Sequence, residues 1–400
     1  MSEETSKYYS PTDPVSIVPL GDYDAVGARR ALEDALAPIG GLDFIKEGMT
    51  VVIKANLVSA MKPDEAATTH PVLLCALCDM IRERGAGEII IGDSPGGLYN
   101  AAHLSRVYNV TGMHDCEAHG AVLNTDFGEG EAHFPDAKVC STFTYTTYLD
   151  RADVIINFCK LKSHGMMGMS AAAKNMFGTI PGIIKPEYHY RFPSYTDFSD
   201  MLVDLDEYFH PTLSIADAVI GMEGNGPTAG TPKYMGALLA SHSPHNLDMI
   251  AAKMIGFEPF EIPTLDAAHR RGMVPDTVEE VPLIGELEKL LVPDFKRVVE
   301  RRSLGFWDST ESPVKNFLGK IAAKVLKTRP VLKNKLCVGC GVCANICPAK
   351  AIVIRDGKAV IDRGACIRCF CCQEFCPKSA MKVGRSFIAS IFIKQPKKGK

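Results

Sequence analysis

From Val15 to about Pro275, short β-branched runs alternate with stretches whose apolar residues recur every three or four positions. Ser16–Leu20 reads as a strand and Ala25–Ala37 as an amphipathic helix. Val51-Val-Ile-Lys54 is a second, buried strand. The periodic segment after His70-Pro71 runs through Leu73, Leu74, Leu77 and Ile81 to a stop at Gly85. Glu88–Ile91, Asp153–Asn157, Leu213–Ile215 and Gly236–Leu239 continue the series. Strands alternating with helices predict an α/β fold, a mainly parallel sheet with helices on both faces. The pattern changes near Val292, so residues 1–292 form one domain. Residues 293–334 are a linker in which Pro313–Lys327 forms a basic amphipathic helix, ended by Arg329-Pro330.

Residues 335–384 carry the most specific chemistry. Cys337, Cys340, Cys343 and Cys347-Pro348 are followed by Cys366, Cys369, Cys372 and Cys376-Pro377, two C-x2-C-x2-C-x3-C-P runs. This is the ligand spacing of a bacterial-type module with two [4Fe–4S] clusters, in which the fourth cysteine of each run serves the other cluster. One cluster is therefore assigned to Cys337, Cys340, Cys343 and Cys376, the other to Cys366, Cys369, Cys372 and Cys347. Two zinc sites or a disulfide framework are the alternatives. Zinc favours separated C-x2-C pairs, and disulfides need an oxidising compartment. Ile352–Ile361 reads as a hairpin with an Asp356-Gly357 turn. The expectation is a small α+β ferredoxin-like domain. Cys371 is a ninth cysteine, read as a packed thiol, with a spare ligand or redox sensor as the alternative.

Polar, glycine-rich loops follow the predicted strands, and in a parallel sheet they share the edge where ligands bind. They bring Lys54, Asn56, Asp93, Ser94, Lys160, Lys162, His164, Glu223 and Asn225 into view, with Ser241–Pro244 after the last strand. His70 joins them from the start of its helix. Singly, each is a turn former, a capping group or a surface charge; together they predict one cleft. Its lysines, with Lys174 and Asn175, suit carboxylate or phosphate groups, and Gly168–Gly178 reads as a helix start offering N–H groups to an anion. Histidines and carboxylates there could bind a metal or move protons, and His164 is the candidate proton donor. Cys75 and Cys78, within an apolar helical run, read as core packing.

Composition adds limits. Hydrophobic residues at 46% and charged ones at 23% fit a sizeable core. A net charge of −3 predicts no general affinity for nucleic acid. No secretory leader or transmembrane run is visible. Fourteen cysteines, nine of them after residue 336, fit a reducing cytoplasm and anaerobic life. The tail, 385–400, is apolar and then basic; peripheral membrane contact is the lesser alternative to packing there.

Val51–Asn56, Thr68–Pro71, Ile91–Gly97, Lys160–His164, Ala173–Gly178 and Met222–Pro227 together resemble the DUF362 family. The resemblance covers roughly residues 15–290 and implies an iron–sulfur redox role without a substrate. More distantly, the loop-rich α/β part resembles lactate-racemase-like folds. The expected function is an oxidoreductase that takes low-potential electrons from a soluble donor protein and passes them through two [4Fe–4S] clusters to an anionic small molecule in the cleft. A further small-molecule or metal cofactor there is allowed, though no flavin fingerprint is present. The competing readings are a non-catalytic electron carrier or adaptor docking a partner protein, and a cofactor or metal maturation factor.

Overall fold

A computed structural model describes residues 8–298 and 329–384. The helix expected over 313–327 and the tail from 385 lie outside the described residues.

The strands are β1 (Val15–Pro19), β2 (Thr50–Lys54), β3 (Glu88–Gly92), β4 (Ala121–Leu123), the hairpin β5 (Glu129–His133) with β6 (Thr142–Thr146), β7 (Val154–His164), β8 (Gly168–Ser170), β9 (Leu213–Glu223), β10 (Thr231–Ser241) and β11 (Leu283–Ile284). The main sheet has the order β11-β1-β10-β9-β7-β2-β3-β4, and β8 folds back on β7. Strands β9, β7, β2, β3 and β4 pair in parallel, while β10 runs against both β9 and β1. Val51, Ile53, Ile89, Ile91, Ile156 and Phe158 pack beneath the helices Ala25–Leu36, Pro71–Glu83 and Ala101–Thr111. The alternate residues Val52 and Ile90 face the helix Tyr195–Phe209 on the opposite side. Both faces are covered, which is why these strands read as continuous apolar runs.

Three local readings change. Strand β10 is antiparallel, so Ser241–Pro244 lies at the opposite edge from the cleft. There His242 bonds the carbonyls of Thr212 (2.7 Å) and Ile39 (2.9 Å). Strand β7 continues through Lys160–His164, read from the sequence as a loop, because β9 and β8 extend the ladder along it. The small-residue helix Ala172–Asn175 does not offer its N–H groups to a ligand. Ala172 N and Ala173 N donate to the buried Asp248 carboxylate at 2.7 and 3.2 Å. Among the described residues no helix is long and apolar enough to cross a membrane.

The C-terminal module starts earlier than its cysteines suggest. Strand β12 (Arg329–Leu332), within the span read as linker, pairs antiparallel with β15 (Met381–Gly384), and β13 (Ile352–Arg355) pairs with β14 (Lys358–Ile361). The sequence repeat, Cys337 to Cys366, is also a backbone repeat. Gly339, Gly341 and Lys350 have φ of 70°, 80° and 50°, matched one repeat on by Arg368, Phe370 and Ser379 at 64°, 64° and 47°. Phe370 thus accepts a left-handed conformation where the first half has glycine. Its ring compensates by burial: with Val383 it joins the apolar cluster of Met166, Met167 and Phe198 in the α/β domain.

Hydrogen bonds complete this docking. Gln373 Nε2 donates to Asn225 O (2.9 Å), Thr228 Oγ1 to Glu374 O (3.1 Å), and Val383 N to Asn225 Oδ1 (3.3 Å). Gly165 and Gly96 permit the close approach; a Cβ would stand 2.9 Å from Val383 Cγ2 or 2.8 Å from the Phe375 ring, respectively. Phe370→Ala keeps the backbone strain and removes the ring, so docking should weaken by about 3 kcal/mol. Urea titration followed by iron–sulfur absorbance measures this; an unchanged midpoint would show that the ring does not anchor the module.

Candidate functional site

The sheet edge and the docked module enclose a cleft of about 500 Å³. Of the residues picked from the sequence, Asn56, Asp93, Ser94, Lys162, His164, Lys174 and Asn175 line it. Lys54 lies directly behind, fully buried, its Nζ 2.8 Å from Asp93 Oδ1 and donating to Ala55 O at 2.8 Å. The other four are placed elsewhere. Lys160 pairs with Asp217 (2.8 Å) and donates to Tyr23 OH (2.8 Å). The His70 ring stacks on Tyr23 and receives Val72 N as a helix cap. Glu223 holds Lys296, and Asn225 holds the module.

Asparagines set the floor. Asn175 Nδ2 donates to Lys54 O (3.1 Å) and Asn157 Oδ1 (2.7 Å), while its Oδ1 accepts Asn56 Nδ2 (2.7 Å). Asn56 Oδ1 in turn accepts Lys162 Nζ at 2.5 Å, and Ala67 O accepts the same ammonium at 2.6 Å. Lys162 therefore has neutral partners only, and burial pulls its pKa down to about 7. Lys185, whose Nζ donates to Ser94 O, is likewise lowered by burial to about 7. Lys174 is partly open to the cleft over the Phe177 ring; no carboxylate lies within ion-pair distance of it among the described residues. Burial lowers its pKa, with Glu374 opposing.

His164 Nδ1 accepts the backbone N–H groups of Met166 and Met167, both at 3.1 Å. Its proton is thereby assigned to Nε2, which approaches Glu374 Oε1 to 3.0 Å without hydrogen-bond alignment. Burial, then the Lys174 charge, lowers His164 to about 4. Burial alone would raise Glu374, but His164, Lys174 and His189 outweigh it and hold the carboxyl at about 2. At neutral pH the imidazole is neutral and its second nitrogen is already engaged. Burial brings the Lys162 and Lys185 ammonium groups, by contrast, down to about 7.

Sequence reasoning missed Lys185, His189 and Glu374, which line the cleft, and did not place the expected cluster ligand Cys376 there. Lys185 and His189 stand four apart on the helix Lys185–Arg191, a spacing that puts both on one face. Nothing local marks Glu374, since the module's docking alone brings it there.

The fold brings the module's cysteines close together. A small cavity in the module is lined by Cys337, Cys340, Cys343 and Cys376. The Cys366 thiol feels Cys369 and Cys347, and Cys372 is pushed up by burial and by Cys369, Cys366, Cys343 and Cys347. Cys347 Sγ accepts Ala351 N, and Cys376 Sγ accepts Ala380 N, both at 3.2 Å and one repeat apart. Such N–H···S bonds suit thiolates shared with a cluster. No three His, Cys, Asp or Glu among the described residues are arranged for a single metal ion. The eight thiols fit two [4Fe–4S] clusters.

The two lysines near 7 give the cleft a pH signature. Above about pH 7 both would lose charge and any attraction for an anion; below it both would keep it. Oxalate, whose charge is constant from pH 6 to 9, should bind at least tenfold more tightly at pH 6 than at pH 9, about 1.4 kcal/mol or more. Calorimetry across that range checks this, and pH-independent binding would contradict it.

Residues 51–253 match the family model described as "Domain of unknown function (DUF362)", and 329–377 match a 4Fe-4S dicluster domain. The chain is 31% identical over 290 residues to the thylakoid-associated protein sll1697 of Synechocystis sp., covering 70% of this chain and 87% of that protein. Two solved structures are similar at low identity. The lactate racemase apoprotein from Thermoanaerobacterium thermosaccharolyticum has a TM-score of 0.38 and 12% identity, over 61% of this chain and 56% of that one. A Thermotoga maritima protein has a TM-score of 0.35 and 11% identity, over 57% of each. The chain spans less than two thirds of either structure's length. With the family model spanning just over half of its residues, the chain belongs to the DUF362 family and carries a ferredoxin-type 4Fe-4S dicluster domain.

Proposed function

We propose that this iron–sulfur electron carrier delivers electrons, one at a time, to an anionic small molecule held in the cleft, and so acts as an oxidoreductase. One observation carries the reading: Cys376, a ligand of the first cluster set, lines the same cleft as Lys162, Lys174 and Lys185. The clusters, when bound, supply low-potential one-electron chemistry. The protein's part is positioning and charge. Lys174 binds the anion, because its ammonium lacks the internal carboxylate that neutralises Lys54 and Lys160. Lys162 directs two N–H groups to Asn56 and Ala67 and has a third for the guest. With its pKa near 7, it can give up the proton that accompanies a transferred electron. His164 presents a fixed Nε2–H and orients the guest. Phe375, Pro377 and Pro227 exclude water from the module side.

A soluble protein is the proposed electron source. The cytoplasm is the compartment this reading favours, because its eight cluster-ligand cysteines need to stay reduced to hold iron.

Two lysine variants separate cleft from scaffold. Lys174→Ala should lower oxalate affinity at least tenfold and lose whatever anion accompanies the anaerobically purified wild type, with both cluster EPR signals intact. Lys160→Ala strands the buried Asp217 carboxylate and should cost about 3 kcal/mol of stability. Mass spectrometry of the extracts and denaturant titration read the two outcomes. A Lys174→Ala protein that keeps the same anion at the same affinity would overturn the reading.

A further inference from the structure

The iron–sulfur module presents a second surface, distinct from the cleft. Cys340 belongs to the same ligand set as Cys376, yet it is exposed to solvent. Leu336 and Val338 beside it are 48% and 62% exposed, and Ile354 is 36% exposed. Val338, Ile354 and Lys378 surround the small cavity lined by Cys337, Cys340, Cys343 and Cys376. Lys333 and Lys335 flank Leu336, and Arg355 follows Ile354. Lys358 is fixed against the same loop by Asn334 O at 3.1 Å and Cys337 O at 2.6 Å.

The charge is local. Residues 329–384 hold ten Lys and Arg against three Asp and Glu, a surplus of seven in a chain whose total is −3. One of the three carboxylates, Glu374, is turned inward to the cleft. The clusters with their thiolates, negative as units, offset part of the surplus. Lysines nevertheless dominate the outer ring. An apolar centre within a charged rim is the anatomy of a protein interface, and rim charge selects a partner of opposite sign and steers its approach.

We infer that this face docks an acidic electron-carrier protein. The partner's carboxylates meet Lys335, Lys378 and their neighbours, and its redox centre comes against Cys340. One electron then leaves the reduced carrier and enters the module, with no bond made or broken. This surface goes beyond the cleft reading and stands whether or not the cleft holds an anion.

The test uses the full-length, cluster-loaded chain and an oxidised, strongly acidic [2Fe–2S] ferredoxin as probe, with calorimetry at low and at near-physiological salt. Wild-type affinity should fall steeply with salt. Lys335→Glu/Lys378→Glu should weaken binding at least tenfold and flatten the salt dependence. Arg30→Glu/Lys46→Glu, the same charge change at exposed residues of the α/β domain, should leave binding within twofold. If the first variant loses its clusters, the wild-type salt dependence decides alone. Equal loss in both variants, salt-independent binding, or binding to anionic phospholipid vesicles in place of the ferredoxin would overturn the inference.

Discussion

Lysine ammonium groups removed from water at one sheet edge are the constraint on which the rest of this structure turns. Taking an ammonium out of water costs several kcal/mol. A carboxylate at about 4 Å returns about 4 kcal/mol at an effective dielectric near 20. Lys54 and Lys160 each have that partner, in Asp93 and Asp217. Lys162 and Lys185 have neutral oxygens only, and Lys174 has an aromatic face. Burial lowers the pKa of all five, and only Lys54 and Lys160 have a paired carboxylate opposing it; an anionic guest would oppose it at the other three.

The module completes what the sheet edge begins. Its second half, Phe370 to Cys376, is the half that docks, and the departures from the 29-residue repeat fall there. Phe370 replaces the glycine of the first half and anchors the core, while Gln373 and Glu374 bind or face the loops at Ser163–Gly165 and Asn225–Thr228. The first half keeps its glycines and leaves Cys340 exposed. Cys340 and Cys376, assigned to one cluster, therefore face solvent and cleft, respectively. The module thus bridges an outer surface and an enclosed pocket.

Much of this was readable from residue order. The first three strands lie within a residue or two of their expected places, since runs such as Val51–Lys54 and Glu88–Ile91 carry the apolar residues of a sheet interior; β4, β5 and β6 are not foreseen, and β7, β9 and β10 run well beyond the stretches read from the sequence. The Asp356-Gly357 hairpin and the eight-cysteine pattern depend on local spacing and needed no tertiary knowledge. The direction of β10 did not, because an antiparallel neighbour looks the same in a short apolar run. Lys160 and Lys162 are equivalent in sequence; what separates them is that β9 brings Asp217 to one and not to the other. The N–H groups at Ala172 were claimed by Asp248, distant along the chain. Glu374 reaches the cleft only through a domain contact. Local chemistry was legible, and pairing across the fold was not.

The central claim is that an anion in the cleft sits against a cluster ligand. Potentiometric titration monitored by EPR, with and without saturating oxalate, tests it directly. Negative charge beside Cys376 should make one cluster harder to reduce and shift its midpoint to lower potential, with a smaller change at the other and none in Lys174→Ala. Two midpoints that stay put while oxalate is bound would contradict the account.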